Sequence, residues 1–218
     1  MIAIPVYVRE EKNYDLLKAC LDSIESGNSE DSIELIINAF DVAEKTDSLP
    51  YNQVLRNKNS VAGAWNDAVE LCYEDYEDGE LCIIANQDIE FPDLKPLKDA
   101  IQLHGIAAAR TQDGQPDFAL FGVNPSWIKE TFGTLRPFDE GFEGAYFEDN
   151  DFRYQCQLKG ITIPLVDLDF KHFGSSVVTL DLEAQKENEQ RFRKNHIRYI
   201  KKWGGIRGGE TFKTPFNK

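Results

Sequence analysis

Ile83-Ile84-Ala85-Asn86-Gln87-Asp88 is an apolar run that stops abruptly at two amides and a carboxylate. The apolar half has the length of a buried strand, and the polar half marks where that strand ends. Two earlier segments have the same form. Ile2-Ala3-Ile4-Pro5-Val6-Tyr7-Val8 reads as a short buried strand whose end carries polar groups from Tyr7 to Glu10, and Ile33-Glu34-Leu35-Ile36-Ile37 stops at Asn38-Ala39-Phe40-Asp41. In an open parallel sheet, ligands sit outside the carboxyl ends of the strands. The three polar clusters are therefore expected to share one crevice.

Between these strands the period changes from two to 3.6. Tyr14 to Ile24 sets Leu16, Leu17, Cys20, Leu21 and Ile24 on one stripe, Gln53-Val54-Leu55 is a weaker third strand, and Ser60 is placed to cap a helix from Val61 to about Tyr73. The first 90 residues are thus predicted to form parallel strands with crossover helices. Further on, strands are expected over Ile106 to Ala109, Phe118 to Val123 and Ile161 to Leu168. Helices are expected over Pro125 to Phe132, Phe147 to Leu158 and Leu182 to Trp203. Gly204-Gly205-Ile206-Arg207-Gly208-Gly209 must be loop.

At 218 residues, with 41% hydrophobic and 11% aromatic content, the chain can bury one substantial core. No stretch approaches the roughly 20 apolar residues of a membrane span, and Met1-Ile2-Ala3-Ile4-Pro5 lacks a basic leader, so a soluble, cytoplasmic protein is expected. Cys20, Cys72, Cys82 and Cys156 form no Cys-x-x-Cys pair and read as free buried thiols. The net charge of −14 is unevenly spread: residues 184–218 carry +7 and residues 1–183 carry −21. The basic tail can attract an anionic surface or nucleic acid, or dock on the acidic body itself.

The chemistry-bearing groups fall in few places. A nucleotide diphosphate in the crevice would need a hard divalent cation, and a carboxylate such as Asp88 suits Mg2+ or Mn2+. A polar turn at a strand end explains Asn86 to Asp88 as well. Glu148, Asp149 and Asp151 crowd like charges, which makes a carboxylate more basic, though they would equally suit an acidic helix N-terminus stabilised by the helix dipole. His172 is the one histidine next to a strand end; His104 and His196 read as surface residues.

The order of these segments resembles the family 2 glycosyltransferases over roughly residues 1–180. Ile4-Pro5-Val6-Tyr7 looks like the strand that cradles uridine in that family. Asn59-Ser60-Val61-Ala62-Gly63-Ala64-Trp65-Asn66 looks like its Asn-x-Gly-x-x-x-x-Asn helix with the Gly displaced, and Asn86-Gln87-Asp88 stands where the family has Asp-x-Asp or Asn-Pro-Asp. Phe138-Asp139-Glu140 followed by Glu148-Asp149-Asn150-Asp151 looks like its acceptor segment, and His172-Phe173-Gly174-Ser175-Ser176 like its late His-x-x-x-Ser element.

The resemblance implies an α/β fold of GT-A (Rossmann-like) type, with a mixed, mostly parallel central sheet flanked by helices. It implies a transferase domain over 1–180, with 181–218 a C-terminal helix and basic tail packed on or capping it. It further implies a metal-dependent inverting glycosyltransferase using a nucleotide-sugar donor, a UDP-sugar first among them. Asp149 would be the catalytic base, Asp88 and His172 would hold Mn2+ or Mg2+, and Glu148 and Asp151 would meet the acceptor. Pro5, Val6, Tyr7, Asn38, Asp41, Asn66, Asn86 and Gln87 would line the donor site. The acceptor is left open among a glycan, a lipid-linked saccharide, a protein and a modified nucleic acid. The competing reading is a non-catalytic carbohydrate- or nucleotide-binding module with a degenerate site, for which the amide at Asn86 speaks.

Overall fold

The strand at Cys82–Ala85 does lie in the interior of a sheet. In the computed structural model, which describes residues 1–8, 11–26, 31–37, 46–56, 60–173 and 182–218, it is one of seven strands. In chain order these are β1 (Ile2–Val6), β2 (Ile33–Ile37), β3 (Asn52–Leu55), β4 (Cys82–Ala85), β6 (Ile106–Arg110), β7 (Pro116–Val123) and β8 (Leu165–Val166). The sheet order is β3-β2-β1-β4-β7-β6-β8; β7 alone runs against its neighbours. Two further strands, β5 (Ile89–Glu90) and β9 (Lys171–His172), form a small antiparallel pair at the edge of the crevice.

Side-chain alternation divides the core in two. Ile83 and Ala85 point to one face with Ile2, Ile4 and Val6, where α1 (Glu11–Ser26) and α3 (Lys95–His104) cover them. Cys82 and Ile84 point to the other, against Trp65 of α2 (Val61–Asp75), Phe121 of β7 and Phe152 of α5 (Glu148–Leu158). A central strand buried on both faces must be apolar throughout, which is why its polar residues begin only where it ends. The remaining helices are α4 (Pro125–Phe132) and α6 (Leu182–Trp203). Among the described residues no helix is long and apolar enough to cross a membrane. All four cysteines are buried and free.

Two expected elements differ. The strand expected over Ile161 to Leu168 shrinks to Leu165–Val166, because Pro164 has no N–H to give and only its carbonyl is used, by Ala108 N–H at 3.0 Å. Helix α5 begins one residue late, since Phe147 takes a left-handed φ of 75°. The displaced glycine has a packing cause. Gly63, in the first turn of α2, faces the Arg56 guanidinium, and a Cβ there would stand 2.0 Å from Arg56 Nη2.

Candidate active site

The strand order reverses direction between β1 and β4, so their carboxyl ends open the switch-point crevice of the sheet. Gln87 spans it. Its side-chain oxygen accepts from Tyr7 N–H at 2.6 Å, and its amide nitrogen faces the carbonyls of Tyr7 and Asn13, each at 3.4 Å. Gln87 is buried and its amide is spent on backbone, so it shapes the crevice rather than reaching into it. Pro5 and Val6 are buried in register with Ile36 and Ile37, which leaves only their backbone for a ligand. Tyr7 and Asn86 are half-exposed at the crevice mouth. Asn38 and Asp41 lie outside the described residues, as do Asn59, Ser175 and Ser176.

Pairing of β5 with β9 sets Ile89 opposite His172 and so brings His172 to Asp88. Asp88 Oδ1 lies 3.6 Å from His172 Nε2, and on the other side of the ring Asp117 Oδ2 lies 3.6 Å from Nδ1. The contact with Asp117 raises the His172 pKa, opposed by burial and reinforced by the charge of Asp88. Burial works to raise the Asp117 pKa, but His172 and the Ala119 N–H outweigh it and hold that carboxyl below its usual value. Asp117 was not among the expected site residues.

This arrangement fits a cation. An imidazole whose Nδ1 faces a carboxylate has its orientation fixed and presents Nε2 outward, the usual support for a metal-ligating histidine. Here Nε2 looks toward Asp88. Among the described residues no group of three or more His, Cys, Asp or Glu side chains is arranged to hold a metal; Asp88 and His172 form a pair, not a cage.

The carboxylates of α5 are sorted by depth. Asp151 is fully buried and does not meet solvent: Lys202 Nζ at 2.7 Å and Trp203 Nε1 at 2.7 Å hold one oxygen, Gln155 Nε2 at 2.8 Å the other. It pins α6 to α5 and cannot touch an acceptor in this conformation. Glu148 is buried with Oε2 lacking any hydrogen-bond partner, and burial, with the neighbouring Asp149 charge, pushes its pKa up to about 8. Asp149 is half-buried. Burial raises its pKa, while the Asn150 N–H and the charges of Arg153 and Arg207 restrain the rise. Both carboxyls are thus made more basic than usual, Glu148 by burial and its neighbour's charge, Asp149 by burial against two nearby guanidinium groups.

Glu148 has a pH signature. Its folded pKa lies above the ordinary 4.5, so its contribution to stability is complete below 4.5 and is lost as pH rises through about 8. Urea unfolding at pH 6 and pH 9 is expected to give the lower stability at pH 9. In Glu148→Gln, which cannot ionise, that loss should be much smaller; an unchanged loss would assign it elsewhere.

Backbone strain precedes these carboxylates. Tyr146 and Phe147, neither a glycine, have φ of 83° and 75°. Such conformations cost on the order of 1–3 kcal/mol each and persist only when the surroundings enforce them. Asn195 of α6 does so. Its Nδ2 donates to the carbonyls of Glu143, Ala145 and Tyr146 at 3.0–3.1 Å, and its Oδ1 accepts from Glu143 N–H at 3.1 Å. Phe147 also packs on Phe192, His196 and Tyr199.

From the other side, α2 holds the segment before it. Asn66 is buried; its Nδ2 donates to Phe138 O and Glu140 Oε1 while its Oδ1 accepts from Phe138 N–H. Val61 N–H donates to Gly144 O, and Ser60 caps α2 through Gly63 N–H. Asn66 therefore positions the Phe138–Glu140 segment and is not directed at a donor.

The two halves of the site meet at the start of β7. Asp117 touches His172, and two residues earlier Gln115 Oε1 accepts from Arg153 of α5 at 2.7 Å. The Asp88–His172 pair and Arg153 of α5, the helix that carries Glu148 and Asp149, thus meet at one strand end.

No protein-family model matches the chain, and no curated protein matches it. Among solved structures, the mannosyltransferase PcManGT from Pyrobaculum calidifontis, in complex with GDP-Man and Mn2+, superposes with a TM-score of 0.51 at 15% identity, over 76% of this chain and 54% of that one. The chain therefore spans about half the length of that enzyme. The 4-diphosphocytidyl-2C-methyl-D-erythritol synthase from Anaerococcus prevotii superposes with 0.51 at 12%, over 88% and 97%. A Mycobacterium tuberculosis protein in complex with manganese does so with 0.50 at 12%, over 76% and 85%. At these identities the likeness concerns the fold alone, an α/β architecture of GT-A-like type.

Proposed function

We propose that this chain is a glycosyltransferase that takes a nucleotide-sugar donor, with UDP-sugars the first to test, into the crevice between β1 and β4. The observation that carries the reading is the meeting of two unlike groups at the start of β7. One is a carboxylate and imidazole suited to a diphosphate-bound cation; the other is helix α5 with its adjacent carboxyls Glu148 and Asp149, tied to that strand end through Arg153. Asp88 and His172 would hold Mn2+ or Mg2+, with Asp117 fixing the ring. Such an ion, bound by few protein groups and otherwise by phosphate oxygens and water, stabilises charge on a departing diphosphate.

The chain's own residues supply the rest. Asp149 takes the proton of the acceptor hydroxyl as that oxygen attacks the anomeric carbon in line with the leaving diphosphate, which inverts the configuration. Glu148, neutral at pH 7, keeps its buried Oε2 without a hydrogen-bond partner beside Asp149. Asn66, Asn195 and the strained Tyr146–Phe147 turn hold both carboxyls in place. The test is a thermal-shift screen of nucleotides and nucleotide sugars, each with Mn2+, Mg2+ or chelator. A metal-dependent rise with UDP or one UDP-sugar is expected. A rise with carbohydrates alone and with no nucleotide would favour the binding-module reading instead.

A further inference from the structure

Asn150, whose side chain bonds Asp149, lines a groove of about 630 Å3 walled by α5, the turn between β6 and β7, the segment 161–165 and the C-terminal tail. Its size suits a sugar-sized ligand. Two guanidinium groups converge there on one neutral atom: Gln115 Oε1 accepts from Arg153 Nη2 at 2.7 Å and from Arg207 Nη2 at 3.3 Å. Lys213 lines the same groove, and the one acidic side chain in its wall, Glu210, accepts from the Tyr199 hydroxyl. Among the described residues Arg153, Arg207 and Lys213 make no ion pair. The neighbouring cations of α6 behave differently: Arg191, Lys194, Arg198 and Lys202 are each matched to a carboxylate.

In a chain of net charge −14, three cations lining one groove with no carboxylate within ion-pair distance are conspicuous, even though the charge of Asp149 acts on both arginines. Like charges held together repel, and Arg153 registers it: burial first, then the charge of Arg207, lowers its pKa against the opposing charge of Asp149. The arrangement becomes favourable when an oxyanion lies between the two forks, since guanidinium-to-phosphate hydrogen bonds are charge-assisted and directional. One more group in the wall calls for a ligand. Asn150 Oδ1 is buried without a hydrogen-bond partner, while its Nδ2 donates to Asp149 Oδ1 at 2.9 Å. An orphan acceptor beside a cation pair suits a molecule with both a hydroxyl and an oxyanion.

We propose that this groove binds a phosphate group carried by a hydroxylated ligand and that, resting on the transferase reading above, the ligand is a phosphorylated acceptor whose free hydroxyl faces Asp149. The donor diphosphate belongs at Asp88, so the two anion sites are separate.

The probe is inorganic phosphate, titrated at constant ionic strength into metal-free protein and read by melting temperature, with sulfate and chloride alongside. A saturable rise with phosphate is expected. Arg207→Gln, at an exposed turn, and Arg153→Gln should each weaken the apparent affinity about tenfold or more, the worth of a charge-assisted hydrogen bond. Asp88→Asn should leave it unchanged. Arg207→Gln guards against misfolding as an explanation, because its melting temperature in chloride should equal that of the wild type. No phosphate effect, or one that survives both arginine substitutions, overturns the site. With UDP and Mn2+ present the phosphate shift should add to theirs; competition would make the groove the donor's diphosphate seat and overturn the acceptor assignment. If UDP fails to bind at all, the transferase reading fails, while the arginine variants still decide the groove.

Discussion

Asp149→Asn is expected to lower transfer by about 10²–10⁴-fold, the usual worth of a positioned general base, while nucleotide binding stays within about twofold of wild type. The substitution keeps shape and removes only the capacity to accept a proton. Its neighbours separate this role from structural ones. Glu148 is already neutral near pH 7, so Glu148→Gln should cost far less than Asp149→Asn. Asp151 is buried against Lys202 and Trp203, so Asp151→Asn should be felt in stability before activity. The assay is nucleoside diphosphate released in the acceptor mixture that supports wild-type turnover. An active Asp149→Asn enzyme would remove Asp149 from the chemistry.

Lys202→Met should lower unfolding free energy by about 3–5 kcal/mol, because removing one partner leaves buried charge uncompensated. Lys202 is buried and its ammonium lies 2.8 Å from Asp139 and 2.7 Å from Asp151. The two carboxyls respond in opposite directions. Burial dominates at Asp151, which is fully enclosed, and its pKa is raised. At Asp139 burial also pushes upward, but Lys202, the Gly141 N–H and Arg198 outweigh it, so the pKa falls. Asp151 is therefore the group most exposed to loss of the lysine. Adding Asp151→Asn to Lys202→Met should recover part of the loss in urea unfolding. A Lys202→Met protein as stable as wild type would mean that α6 is held by its apolar contacts alone.

Local signals sufficed for the parallel half of the sheet, because strands buried on both faces are uniformly apolar and helices on them keep a 3.6-residue period. They also sufficed for α6, Leu182–Trp203, whose ends are where the pattern puts them. Helix α3 gives a weak periodic signal, since Leu97 and Ile101 are its two buried residues. The candidate site's groupings were legible where they lie within a contiguous motif and illegible where partners come from far along the chain. Asp88 and His172 are named by their places after strands, yet nothing near Asp117 announces that it orients a ring 55 residues away. Asn195 carried a signal: it shares a helical face with Tyr199 and Trp203, and a polar residue on an apolar stripe asks for a partner. The charge asymmetry had a structural outlet as well. Arg198 and Lys202 of the basic segment dock on Asp139 and Asp151 of the acidic body.

The most direct measurement is Mn2+ binding followed by electron paramagnetic resonance, with and without UDP, in wild type and Asp88→Asn. Mn2+ should bind tightly only when UDP is present, and Asp88→Asn should weaken that binding at least about tenfold, as expected for loss of a metal ligand. Uptake that is indifferent to UDP, or equal in the two proteins, would contradict a metal-held nucleotide in this crevice.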